Sequence, residues 1–147
     1  MQSGLTTYVL THPETAFAAT LAGTNLVVGA YRDPDTVVAA DGLPVVGTAV
    51  ESLRPAARAA GAFSPRAVAV YPSQPHGSPR NTWPAVVGEV VPQGDRALIR
   101  CRCGDHDVAA EVTWASVAEL GLGAGVAVHL SVKATEVRIY GAAESRE

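Results

Sequence analysis

Two short runs carry the residues best suited to chemistry: Ser78-Pro79-Arg80-Asn81 and Lys133-Ala134-Thr135. Lys133 is the only lysine in a chain with ten arginines. A compact ammonium and a planar guanidinium do different jobs, so its position asks for a specific reason. An oxyanion taken out of water needs charge-assisted donors for its charge and neutral donors for its remaining lone pairs. Ser78, Arg80, Asn81, Lys133 and Thr135 supply that set, and the backbone N–H groups of Asn81, Ala134 and Thr135 can add to it, because irregular backbone forms anion-binding concavities. The plainer alternative is that Arg80 and Lys133 are solvated surface charges, Asn81 a turn former and Ser78 a loop residue.

Other chemistries lack their residues. With one lysine and no Gly-Lys pair there is no phosphate-binding Walker loop, so the chain is not expected to bind a nucleotide. No paired acids and no nucleophile–base order suggest an enzyme. His12, His76, His106 and His129 are scattered and are expected to face solvent. Cys101 and Cys103 stand two apart in a strand-like run, where side chains share a face and rarely join in a disulfide. Buried thiols fit them better than a metal site completed by His106, which would lack a fourth ligand. A net charge of −3 argues against a nucleic-acid binder built on a broad basic surface. No apolar run is long enough to span a bilayer, and the N-terminus has no signal-peptide pattern. A cytoplasmic protein with reduced thiols and no membrane insertion is the expectation.

Positioning those two runs falls to a chain of 147 residues, 48% hydrophobic, enough for one domain or two small ones. Thr11-His12-Pro13-Glu14 has the spacing of a helix start, and an apolar stripe through Phe17 and Leu21 runs to Gly23. From Asn25 onward, short β-branched runs alternate with Gly, Pro and Asp. Leu26–Tyr31, Val37–Ala40, Pro44–Val46 and Ala67–Tyr71 read as strands, with Asp41-Gly42 as a hairpin turn and Pro44 at a sheet edge. Ser52–Ala60 is alanine- and arginine-rich enough to predict a short helix. After a proline-rich break, Val86–Val91, Ala97–Cys103, Val108–Thr113, Val126–Val132 and Glu136–Tyr140 read as five strands. Val126, Val128, Leu130 and Val132 mark a core face. Trp114–Leu120 has helical spacing, with a cap in Thr113 or Ser116. Trp83 and Trp114 are expected in packing or at an interface, not against a ligand.

Five short strands with a small helix inserted late predict an OB-like barrel. The halves echo each other: Ser64-Pro65-Arg66-Ala67-Val68-Ala69-Val70-Tyr71 closes the first as Lys133-Ala134-Thr135-Glu136-Val137-Arg138-Ile139-Tyr140 closes the second. The fold class is thus all-β with short helices, as two tandem OB-like barrel subdomains. Residues 1–24 form a tail and connector helix, 25–77 the first subdomain, 78–141 the second and 142–147 a disordered tail. The chemistry sits where the repeats differ. Gly23-Thr24-Asn25 and Ser64 in the first half stand where the second has Pro79-Arg80-Asn81 and Lys133.

Residues 78 to 140 resemble the MOP or TOBE domain, a molybdate-binding OB-fold unit. Its Ser-x-Arg-Asn run matches Ser78 to Asn81, its strand–helix block matches Val112 to Leu122, and its closing Lys-Ala-x-x-Val run matches Lys133 to Val137. Pro13 to Leu26 is similar to the segment leading from the ATPase core of a molybdate ABC importer into its C-terminal regulatory region. One departure is Ser64-Pro65-Arg66, where related importer subunits often carry Arg-Pro-Glu, which weakens a partner-contact role for this position. The resemblance implies a non-enzymatic domain that binds molybdate or tungstate through Ser78, Arg80, Asn81, Lys133, Ala134 and Thr135 and regulates an ABC importer. It implies ATPase and permease subunits as partners and a homodimer or higher homo-oligomer. Two other readings stay open: a free-standing molybdate storage protein, and a structural TOBE module of an importer for another solute.

Overall fold

In the computed structural model, residues 23–76 and 81–142 are described. The expected connector helix, and with it Ser78 and Arg80, lie outside them. Eleven strands follow one another as β1 (Asn25–Arg32), β2 (Thr36–Val38), β3 (Pro44–Val46), β4 (Thr48–Ala49), β5 (Arg58–Phe63), β6 (Ala69–Tyr71), β7 (Asn81–Gln93), β8 (Arg96–Cys103), β9 (His106–Val112), β10 (Ala127–Val132) and β11 (Arg138–Gly141). One helix, α1 (Trp114–Leu120), lies between β9 and β10, and 3-10 turns at Pro65–Ala67 and Ala134–Glu136 precede β6 and β11.

The strands form two curled sheets, ordered β3-β2-β1-β5-β11-β4 and β6-β10-β7-β8-β9. The order repeats: β1, β2, β3, β5, the 3-10 turn and β6 in the first half correspond to β7, β8, β9, β10, the 3-10 turn and β11 in the second. The last strand of each half belongs to the other half's sheet. β6 pairs with β10 through Ala69 and Ser131, and β11 pairs with β5 through Ile139 and Gly61. The sheets therefore share strands across the chain division at 77 and 78.

Local sequence explains most of this. The hairpin at Asp41-Gly42 closes through the Gly42 N–H donating to Ala39 C=O, with Gly42 at φ 93°. Pro44, which has no N–H to donate, opens the edge strand β3. Helix α1 starts at Thr113, whose hydroxyl accepts from Ser116 N, and ends at Gly121 in the left-handed region. Along β7, Asn81, Trp83, Ala85 and Val87 point inward, until a register shift between Val87 and Glu89 bends the strand.

The expected helix over 52–60 is not formed. Residues 52–57 are loop and turn, with Ala56 at φ 72°, and Arg58 opens β5. Ala59, Ala60 and Ala62 are buried there, and Gly61 lies where a Cβ would meet Val45 at 3.3 Å. Small residues are required because β5 runs between β1 and β11 under closely packed side chains, and that packing outweighs alanine's helix propensity.

One core joins the halves. Val27, Val37, Val45 and Phe63 from the first meet Trp83, Ile99, Leu130, Val137 and Ile139 from the second. The Phe63 and Trp83 rings lie 5.7 Å apart, and Trp83 Nε1 donates to Pro44 C=O. Equivalent asparagines add matching stitches. Asn25 exchanges two hydrogen bonds with the backbone of Ala109 on β9, and Asn81 exchanges two with Val46 on β3. The hairpin tips also touch. Asp41 Oδ2 accepts from Asp105 N, and Asp41 Oδ1 lies 3.0 Å from His106 Nε2. The hydrogen bond from His106, with those from the Asp105 and Leu43 amides, holds the Asp41 carboxyl at about 2.

Candidate functional site

Lys133 stands where β10 ends and the second 3-10 turn begins. Its backbone is extended (φ −69°, ψ 141°), and its side chain is exposed and makes no capping hydrogen bond. The turn's first internal bond is Glu136 N to Lys133 C=O, at 2.9 Å, which leaves the N–H groups of Ala134 and Thr135 without an acceptor inside the turn. Val137, fully buried, pins the far end, and Thr48 N donates to its carbonyl. Gly47 makes this approach possible, because a Cβ there would lie 2.7 Å from Val137 Cγ1.

The equivalent first-half turn is closed in a different way. Ser64 occupies the place of Lys133, and its hydroxyl accepts from Arg66 N at 3.1 Å. The N–H that corresponds to that of Thr135 is thus satisfied within the chain. Where the second half has a lysine and an N–H with no acceptor among the described residues, the first has a small residue that caps itself.

Asn81 is brought close, but in another role than a ligand amide. It is 2% exposed; its Oδ1 accepts from Val46 N, and its Nδ2 donates to Val46 C=O and Val132 C=O. The carboxamide is committed to backbone on both sides. What it does is fix the end of β10, one residue before Lys133. Sequence reasoning read the amide as a donor and missed the strand it holds, which lies 35 residues away.

Around Lys133 is an open depression of about 790 Å³, lined among others by Ser64, Arg66, His76, Ser131 and Glu136. His76 leads into residues 77–80, and Asn81 follows them. A second depression, of about 900 Å³, contains Arg100 and Arg102, but Glu89 and Asp107 pair with them at 3.2 and 3.1 Å. Among the described residues no carboxylate forms an ion pair with Lys133.

The remaining candidates settle plainly. Cys101 and Cys103 are buried free thiols, and burial pushes them up to about 11 and about 12. His106 faces Asp41, not the thiols. Of the histidines expected to face solvent, His76 is exposed, His106 and His129 are half-buried, and His12 lies outside the described residues; His129 Nδ1 is buried without a hydrogen-bond partner among the described residues. Trp83 is core, whereas Trp114 is 43% exposed. No helix among the described residues is long and apolar enough to cross a membrane.

Residues 77–139 match the family model of the TOBE domain. This part of the chain resembles a TOBE domain. The match spans β7 to β11 and so includes Asn81 and the turn at Lys133. The first half extends the relationship. Over 135 residues, 90% of the chain, it is 39% identical to the molybdenum import ATP-binding protein ModC of Mycobacterium tuberculosis, in strains CDC 1551 / Oshkosh and ATCC 25618 / H37Rv. The chain spans 37% of the length of those relatives. In structure, this part and its partner half superpose on the cytoplasmic molybdate-binding protein ModG, solved with molybdate bound, at a TM-score of 0.67 and 16% identity. That match covers 83% of this chain and 96% of ModG, and at this identity the likeness is one of fold.

Proposed function

We propose that the chain is a molybdate- or tungstate-binding regulatory domain that senses cytoplasmic oxyanion for an ABC importer. The observation that carries the reading is the contrast between two equivalent 3-10 turns. One is capped by its own serine, and the other presents an ammonium beside two N–H groups that have no acceptor among the described residues. That is the donor set a tetrahedral dianion requires. The relationship to ModC and the fold shared with ModG support molybdate as that anion.

In this reading Lys133 supplies charge, Ala134 and Thr135 supply backbone donors, and Ser78 and Arg80 of the family's Ser-x-Arg-Asn run are assigned a hydroxyl and a second charge. Asn81 acts by holding the end of β10 and through its main chain. The chain binds the anion and catalyses nothing. Binding regulates transport only if two states of the importer differ in affinity for the anion. The partners are the importer's ATPase and permease subunits and further copies of this chain.

Calorimetric titration with molybdate, tungstate and sulfate tests the site. Loss of one charge-assisted contact is worth about 2 kcal/mol, so Arg80→Ala and Lys133→Ala each weaken binding by roughly thirtyfold. Tight binding unchanged in both variants rejects the assignment. If neither molybdate nor tungstate raises the melting temperature of the parent, the module is structural, since a ligand bound only by the folded state must stabilise it.

A second reading has its own support, because the fold match covers 96% of ModG. A free-standing oxyanion store needs no further domain. Solution mass with and without molybdate separates the two, a store giving a closed oligomer with anion at its interfaces.

A further inference from the structure

The first half also brings a cation to the Lys133 depression. Arg66 sits in the first 3-10 turn, in the place that Thr135 holds in the second, and lines the same depression. Its Nε lies 3.5 Å from Glu111 Oε2, and Arg96 Nε approaches the same oxygen at 3.9 Å. The Glu111 side chain is 11% exposed, whereas that of Arg66 is 80% exposed. The carboxylate is fixed by its surroundings, and the guanidinium is the movable partner. An ion pair this open to solvent is weak, so a dianion nearby competes for the arginine on good terms.

Charge decides that the competition matters. Lys133 and Glu136 line the same wall and cancel formally. With His76 neutral, Arg66 is the described lining residue that makes this wall attractive to an anion. Its planar fork also matches two oxyanion oxygens at once, which an ammonium does not.

We infer that Arg66 is a second cationic contact for the bound oxyanion, shared with Glu111. The inference rests on the oxyanion reading of the Lys133 depression. In the structure Arg66 lies against Glu111. A bound dianion draws it away, and Arg96 keeps Glu111 from being left unpaired. Because Arg66 belongs to the first half and Glu111 to β9 of the second, occupancy changes an ion pair that ties the halves together. The ligand is thereby coupled to their arrangement through a single side chain.

Titration with sodium molybdate tests this on the parent, Arg66→Ala, Glu111→Gln, the double variant and Lys133→Ala. Arg66→Ala is expected to weaken binding about tenfold, less than the loss at Lys133, because the arginine must leave Glu111 to reach the anion. Glu111→Gln releases the arginine and is expected to tighten binding several-fold, an effect that a merely structural role for the pair does not produce. The double variant should bind as Arg66→Ala does. If Arg66→Ala binds as tightly as the parent while Lys133→Ala loses affinity, Arg66 is not a contact and the oxyanion reading stands. If both bind like the parent, the oxyanion reading fails as well. A Glu111→Gln variant that binds more weakly than the parent overturns the competition, whatever Arg66→Ala does.

Discussion

Asn81→Ala isolates the residue on which the Lys133 turn depends. The substitution removes three hydrogen bonds, from Val46 N at 2.7 Å, to Val46 C=O at 2.8 Å and to Val132 C=O at 3.1 Å. At about 1 kcal/mol net for each bond, the expected loss is about 3 kcal/mol. Asn25→Ala, the same change at the equivalent position, removes two bonds to Ala109 and should lose about 2 kcal/mol. Urea unfolding followed by tryptophan fluorescence measures both, and the slope should stay constant because the surface exposed on unfolding is unchanged. For a chain of this size the larger loss lowers the melting temperature by roughly 6–12 °C. Since a domain's total stability is about 5–15 kcal/mol, the variant should still fold at 25 °C and remain open to titration. Its molybdate affinity should fall although its carboxamide touches no ligand, because the end of β10 is released. A loss under about 1 kcal/mol, or a larger loss for Asn25→Ala, refutes the view that Asn81 is a strand anchor.

Three further outcomes follow from the structure. Asp41 is held at about 2 against an ordinary 3.8, so its pairing with His106 and the two amides stabilises the fold above pH 3.8, and that stability is lost as pH falls through about 2. Asp41→Asn should flatten the stability profile in that window, which acid titration of the unfolding midpoint will show. Gly47→Ala places a Cβ 2.7 Å from Val137 Cγ1 and from the Val137 carbonyl, so it should destabilise by about 1–3 kcal/mol and weaken molybdate binding by moving the Lys133 turn. Cys101 and Cys103, held at about 11 and about 12, should resist a thiol reagent at pH 8 in the native protein and react at once in denaturant.

What the sequence discloses about this molecule is its local pattern. Alternation in β10 marks Val128, Leu130 and Val132 as core, and all three are buried. The glycine and aspartate positions locate the hairpins, and α1 begins and ends where Thr113 and Gly121 indicate. The repeat is legible too, down to the matched turns after Phe63 and Val132. Long-range pairing is what stays hidden. Ser52 to Ala60 reads as helix because composition cannot say that its end, from Arg58 on, belongs to a strand lying between two neighbours. Asn81 reads as a ligand because nothing in its neighbourhood mentions Val46. Arg66 is passed over in the same way, since a motif position that departs from its relatives gives no sign of Lys133 or Glu111 nearby.

The exchange of β6 and β11 between the sheets has a topological consequence. Neither half closes its own sheet, so cutting the chain between 72 and 80 would leave two fragments that each lack a strand and each carry one meant for the other. Fragments of that kind should recombine, because every unpaired edge has its complement in the second piece. An ancestral single unit built this way would meet its missing strand only in another molecule, as an obligate dimer whose folding depends on concentration. Joining two units end to end replaces that concentration by a fixed local one, set by the length of the link. Duplication in this fold therefore converts an assembly into a domain, and frees the two copies to differ, one with a serine and the other with a lysine at the same place.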